Sequence, residues 1–187
     1  VPVGAPCNVC DEKDQRYASI TRIKPDGKGF EIFARGIRNT VGFDWHPTTK
    51  ELWFTNNGRD WADENLPNDT LNRLSRPKGM NFGYPFCHQG DLLDPEFGKG
   101  RSCAEFDKPA LKLGPHIAPL GLRFYTGSMF PDEYKGNIFV AMHGSWNRST
   151  KHGYNLMRVI VDDKGKATLK PFLDGFLQDN KGDPPMW

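Results

Sequence analysis

The stretch DWHPTTKELWFTNNG, residues 44–58, is rewritten as SMFPDEYKGNIFVAMHG over residues 128–144. Each copy has a turn built on Pro, a charged or Gly-bearing corner, and an apolar run that ends in a polar residue and Gly. A second echo pairs SITRIKPDGKG, from Ser19, with NLMRVIVDDKG, from Asn155. The two spacings divide into units of roughly 43 to 45 residues, two units in the first case and three in the second, which is the period of a β-propeller blade. The expectation is an all-β chain: a partial β-propeller of about three to four four-stranded antiparallel blades with long loops, spanning 1–187 as one partial domain. A propeller ring closes with typically four to eight blades, so the chain reads as a piece of a larger ring, with upstream and downstream blades absent. Unpaired sheet edges are liable to pairing, and a strand-swapped or edge-paired homodimer is expected on that ground.

Short apolar and β-branched runs bounded by turn residues place the strands. Residues 17–23, 30–34, 41–45 and 51–55 form four in succession, joined by turns such as PDGKG at 25–29. Later strands are expected at 122–125, 137–142, 156–162 and 167–172. Between residues 56 and 119 the pattern thins, leaving short strands near 70–74 and 81–84 among long loops. Loops of that length usually carry function, and in propellers they gather at the end of the ring where ligands bind.

Composition sets limits on function. Gly 20 and Pro 15 in 187 residues, with 12% aromatics, suit turn-rich strands. No run of eighteen apolar residues is present, which argues against a helical membrane span. A net charge of +2 with the signs interspersed gives no footprint for nucleic acid. Cysteines fall at Cys7, Cys10, Cys87 and Cys103. Zinc would need a second close pair or a paired His, and a thioredoxin-type CxxC would need a surrounding βαβ unit. Disulfides are the better reading, with Cys87 to Cys103 stapling the loop HQGDLLDPEFGKGRS. Closing about fifteen residues constrains the unfolded chain by roughly 3 kcal/mol, and disulfides point to a periplasmic or secreted location.

Four loops offer chemistry. Arg38 and Asn39, between two strands, could clamp carboxylate and carbonyl groups of a flat acidic ligand, or be a surface Arg and a turn Asn. Residues 56–65, NNGRDWADEN, are rich in hard oxygen donors of the kind calcium takes, or form a solvated acidic loop. The loop from His143 to Lys151 mixes a possible base, an aromatic platform at Trp146 and the cations Arg148 and Lys151, against the alternative of an exposed loop with a packed Trp. The turn GPHIAP leads into the next strand, with His116 read as structural in preference to catalytic. Asn68-Asp69-Thr70 and Asn147-Arg148-Ser149 have the form of glycosylation sequons.

Six motifs, CNVCDE, GIRNTVGFDWHP, MNFGYPFCHQGD, RSCAEF, LGPHIAPLGLRFYTG and HGSWNR, lie in order along nearly the whole chain. Together they resemble the sorbosone/glucose dehydrogenase family, six-bladed propellers that use pyrroloquinoline quinone (PQQ). The resemblance implies oxidation of an aldose or related sugar by hydride transfer to the quinone, with Ca2+ polarising the quinone carbonyl and an electron acceptor receiving the electrons. It places Arg38 and Asn39 beside the quinone, and it assigns the backbone carbonyls of Gly58 and Arg59 to calcium. Lys151, then Arg148, is the cation expected to face a quinone carboxylate, with Trp146 as a stacking surface. The family's general base is expected before Val1 and further cofactor arginines beyond Trp187. The isolated chain is therefore expected to have little dehydrogenase activity. A non-catalytic carbohydrate- or protein-binding propeller is the alternative, and a lone fragment that folds by swapping strands is another.

Overall fold

The computed structural model describes residues 1–177 apart from 61, 77 and 146. In chain order the strands are β1 (Pro2–Val3), β2 (Ser19–Arg22), β3 (Glu31–Arg35), β4 (Phe43–Trp45), β5 (Leu52–Asn56), β6 (Asn68–Arg73) and β7 (Met80–Asn81). There follow β8 (Cys87–His88), β9 (Leu92–Leu93), β10 (Leu111–Pro115), β11 (Pro119–Phe124), β12 (Ile138–Met142), β13 (Asn155–Val161) and β14 (Ala167–Leu173). Two short 3-10 turns are the only helical elements among the described residues. The strands make three four-stranded sheets, ordered β1-β2-β3-β7, β10-β6-β5-β4 and β11-β12-β13-β14, with β8-β9 as a separate hairpin. This is the expected all-β, partial-propeller architecture.

The middle sheet explains why LWFTN is apolar without alternation. Trp53 and Phe54 are adjacent in β5 and point to opposite faces, as the two-residue period of a strand requires. Phe54 joins Leu52 in a core with Ile20, Ala34 and Met80 of the first sheet. Trp53 joins Leu71 and Leu113 in a core with Leu122, Phe124, Ile138 and Val140 of the third. A strand buried on both faces reads as a continuous apolar run. Each fully buried side chain of this size contributes about 1.5–3 kcal/mol of transfer free energy. Truncating Trp53, which is 1% exposed, should cost about 3–5 kcal/mol.

Three details differ from expectation. The repeated segments do occupy matching places, because β5 and β12 are each the second strand from one edge of their sheets. Those sheets are consecutive, however, so their spacing counts one blade and not two. Residues 74–110, inserted between β6 and β10, stretch it. For the same reason the Ser19 and Asn155 echoes, which lead into the hairpins β2-β3 and β13-β14, stand two sheets apart and not three. The strand β10 went unforeseen, since LKLGP has a Lys, a Gly and a Pro and gains its place only by pairing with β6. Finally, β7 runs parallel to β3, the one departure from antiparallel pairing among these sheets.

The chain crosses from the first sheet to the second through residues 36–42, and Gly36 makes the exit possible. Its φ is +67°, and a Cβ there would lie 2.1 Å from Asn81 Oδ1 and 2.5 Å from the Gly83 nitrogen. Both disulfides are formed, Cys7–Cys10 and Cys87–Cys103. The second anchors a turn capped reciprocally by Ser102 and Glu105.

Candidate functional site

Five connections emerge at one end of the sheets: residues 4–18, 36–42, 57–67, 116–118 and 143–154. The last four border a cleft of ≈ 320 Å³ lined by Arg38, Asn39, Asn57, Gly58, Asp60, Asp69, His116, Ala118 and His143, among others. Hydrogen bonds tie the 36–42 loop to the end of β5 and to the loop that follows it. Asn39 N–H donates to Asn56 Oδ1 at 3.1 Å, and the Asn39 carbonyl accepts Asn57 N–H at 2.9 Å. Arg38 is half-buried. Its Nε donates to the Asn8 carbonyl (2.9 Å), and its Nη2 donates to Asn8 Oδ1 (3.1 Å) and Asp60 Oδ2 (3.2 Å). The two Nη1 donors have no partner among the described residues.

Asp69 ties the second sheet to the third. Its Oδ1 accepts Gly58 N–H at 2.6 Å, and its Oδ2 accepts Ala118 N–H at 2.9 Å. Burial pushes the carboxyl up to about 6, against the pull of those backbone N–H groups and of His116. Ala118 and His116 both sit in the left-handed region, at φ 47° and 53°. Such backbone strain in non-glycine residues concentrates at ligand sites. His116 is held by donation from Nε2 to the Asp63 carbonyl, 2.8 Å. On the far wall, His143 N–H and Gly144 N–H donate to the Ala118 and Ile117 carbonyls. Gly144 needs its missing side chain, because a Cβ would stand 2.4 Å from the Tyr154 ring.

Of the residues singled out from sequence, Arg38, Asn39, Gly58, His116 and His143 meet in this cleft. The Arg59 side chain turns away from it, 6% exposed, to pair with Asp94 (2.7 Å) and Glu96 (2.9 Å). His88 Nε2 shares the same Asp94 oxygen at 2.7 Å. Burial alone would raise Asp94, but the bonds from His88, Phe97, Arg59 and Glu96 prevail and hold it at about 2. Arg148 clasps the neighbouring loop, donating to the Glu64 carbonyl (2.5 Å) and Asn65 Oδ1 (3.1 Å). Lys151 is buried and lines a different cavity, of ≈ 370 Å³, with Leu113, Ile117 and Met142. Trp146 lies outside the described residues.

Sequence reasoning passed over Asn8, Asn57, Asp60 and Asp69 as individual site residues. Asp69 was visible only as the centre of a sequon, and Asn8 only as a spacer between two cysteines. The donor chemistry of the 57–59 loop suits a hard cation. Asn57 Oδ1 is buried with no hydrogen-bond partner among the described residues. Neither the Gly58 nor the Arg59 carbonyl accepts a bond among those residues. Unspent carbonyl and amide oxygens are what calcium takes. No group of three His, Cys, Asp or Glu side chains among the described residues could hold a metal ion.

Solved structures share this fold. The calcium structure of the carbohydrate-active enzyme family AA12 protein of Trichoderma reesei superposes with TM-score 0.74 at 21% identity, covering 98% of this chain and 55% of that one. The holo pyranose dehydrogenase PQQ domain of Coprinopsis cinerea gives 0.67 at 22%, covering 91% and 51%. In sequence, an uncharacterised protein of Borreliella burgdorferi is 38% identical over 170 residues, 89% of this chain and 45% of its own length. A PQQ-dependent pyranose dehydrogenase of Coprinopsis cinerea is 44% identical over 159 residues, 68% of this chain and 21% of its own. The chain thus spans less than half the length of these two sequence relatives and little more than half of the two solved chains. The TrAA12-like family model matches residues 16–173. By that match across most of its length, on a fold shared with AA12 and PQQ-domain structures, the chain belongs to the TrAA12-like family.

Proposed function

We propose that the cleft is this chain's share of a PQQ site in an enzyme that oxidises an aldose or related sugar and passes the electrons to an external acceptor. The observation that carries this reading is the meeting, in one cleft, of a positioned guanidinium with open donors and of oxygen atoms that lack partners. PQQ is a flat tricarboxylate with adjacent carbonyls, so it needs both kinds of group. Arg38 supplies Nη1 donors to a carboxylate, and the Asn39 carboxamide supplies a neutral donor beside it. Asn57 Oδ1 and the carbonyls of Gly58 and Arg59 hold Ca2+. When bound, the quinone supplies the two-electron acceptor and the calcium polarises its carbonyl.

The chain's own work is to bind and orient. Asp69 holds the Gly58 and Ala118 backbones at a fixed separation across the sheet junction. Arg38 and Asn39 set the plane of the ligand. A second carboxylate contact is assigned to the loop 143–154, whose cations are Lys151 and Arg148, with Trp146 as its aromatic surface. Neither cation lines the cleft, so that role requires the loop to close over the ligand. His116 is held on the Asp63 carbonyl, and the resemblance to the sugar dehydrogenases assigns the proton acceptor for the sugar to another part of the ring and not to His143, so the isolated chain should turn over little sugar. The two disulfides support a periplasmic or secreted location, and no helix among the described residues is long and apolar enough to cross a membrane.

Calorimetric titration of PQQ into the chain, with calcium and after chelation, tests the reading. Binding should require calcium and weaken about tenfold or more in Arg38→Ala, as expected for a lost charge-assisted contact. Binding indifferent to both calcium and Arg38 would overturn it.

A further inference from the structure

The CNVC segment does not line the cleft, yet Arg38 hangs on it. The Asn8 carbonyl and Oδ1 take two of the hydrogen bonds from the Arg38 guanidinium, at 2.9 and 3.1 Å. The same Oδ1 accepts Asp60 N–H at 2.8 Å, while Asn8 Nδ2 donates to the Asp60 carbonyl at 3.0 Å. One carboxamide therefore brackets the main chain of Asp60, two residues beyond Gly58. Asn8 itself lies within the small ring closed by Cys7–Cys10, whose Cα atoms are 6.2 Å apart. Behind the ring stands buried Tyr84, whose Oη accepts Cys10 N–H at 3.1 Å and reaches the Asn8 carbonyl at 3.4 Å. Ala5 N–H completes the frame by donating to the Arg38 carbonyl at 2.7 Å.

We infer that Asn8 is a positioning residue for the cleft: the disulfide ring fixes its backbone, and its carboxamide fixes both the Arg38 guanidinium and the 58–60 loop before a ligand arrives. The inference rests on the quinone reading of the cleft. A guanidinium on a flexible stem loses rotamer freedom when it binds. Here Nε and Nη2 are already committed to fixed acceptors, so the plane of Nη1 is set in advance. Asn is suited to this place because it is both donor and acceptor. Asp would keep the acceptor that serves Arg38 and Asp60 N–H, whereas Leu would keep neither function.

The experiment compares wild type, Asn8→Leu, Asn8→Asp and Arg38→Ala by NMR of the Arg38 guanidinium N–H groups and by titration with PQQ and calcium. In wild type and Asn8→Asp, rotation of the guanidinium should be hindered and its Nη–H resonances resolved. In Asn8→Leu they should average, and the Kd for PQQ should rise about tenfold, the loss of a hydrogen bond to a charged group. The denaturation midpoint, read in parallel, separates this from general loosening. A Cys7→Ser, Cys10→Ser double variant, which opens the ring and spares the carboxamide, should weaken PQQ as well. It carries the test if Asn8→Leu does not fold, and wild-type affinity in it would then refute the inference. Unchanged resonances and Kd in Asn8→Leu, with Arg38→Ala still impaired, would remove the positioning role and leave the cofactor site standing. Averaged guanidinium resonances in Asn8→Asp, which keeps the oxygen that accepts from Arg38, would also remove it. No PQQ binding by wild type, and no effect of Arg38→Ala, would bring down the reading of the cleft and this inference with it.

Discussion

Arg38 and Arg59 leave neighbouring loops and meet opposite fates. The Arg59 side chain is 6% exposed and faces the fully buried Asp94 carboxylate at 2.7 Å, with Glu96 and His88 completing the cluster. The Arg38 side chain is 17% exposed, and its carboxylate, Asp60, stands at 3.2 Å with 21% exposure. One guanidinium has its charge cancelled inside the protein. The other is held mainly by neutral acceptors on one side and keeps donors for the cleft. Full neutralisation makes an anchor, and partial satisfaction with fixed orientation makes a binding group.

If that contrast is right, the largest loss of stability should come from the anchor. Asp94→Ala strands a buried guanidinium and should cost about 3–5 kcal/mol, read as a lower urea midpoint. Opening the Cys87–Cys103 bridge, which spans 16 residues beside this cluster, should cost about 3 kcal/mol in the loop-entropy description. Acid should reach the anchor too. Asp94 titrates at about 2 when folded against an ordinary 3.8, so its contribution is complete above about pH 4 and is lost as pH falls towards 2. The magnitude is about 2 kcal/mol, and acid denaturation of Asp94→Asn should lack this component. Burial holds His88 below its ordinary 6.5 despite its bond to Asp94. Protonation of the unfolded chain therefore begins to erode stability from below about pH 6.5, in the same direction. The smallest stability effect belongs to Arg38→Ala, about 1 kcal/mol, in denaturant titration. A larger stability loss in Arg38→Ala than in Asp94→Ala would reverse the comparison.

The strands with strong apolar runs were legible. Residues 137–142, 156–162 and 167–172 were expected, and Ile138–Met142, Asn155–Val161 and Ala167–Leu173 are found. The strand Leu111–Pro115 was not, because its reason for being extended is β6, some forty positions earlier in the chain. The site divides in the same way. Arg38, Asn39 and Gly58 announce themselves by local motif. Asn8 does not, since both partners of its carboxamide, Arg38 and Asp60, are 30 and 52 residues away. Nor does the burial of the Arg59 side chain, whose carboxylates sit 35 and 37 residues on, in a stretch without periodicity. Spacing reveals what a residue does for its own turn of chain, and only the folded arrangement reveals what it does for a distant one.

The insertion between β6 and β10 also bears on how the chain assembles. The pairing of Leu71 with Leu111 completes the middle sheet only after the whole of residues 74–110 has been spanned. Loop-closure entropy rises only logarithmically, by about 0.6 kcal/mol for each doubling of length, so the final sheet tolerates the detour. The rate of reaching it is more sensitive, because non-local pairings slow folding. The hairpin β4-β5 and the third sheet, whose neighbours are adjacent in sequence, should therefore form early, and the outer edge of the middle sheet last. The lobe that holds Tyr84 and Asp94 beneath the cleft would then be the late-arriving part, and the candidate site would take its working shape only at the close of folding.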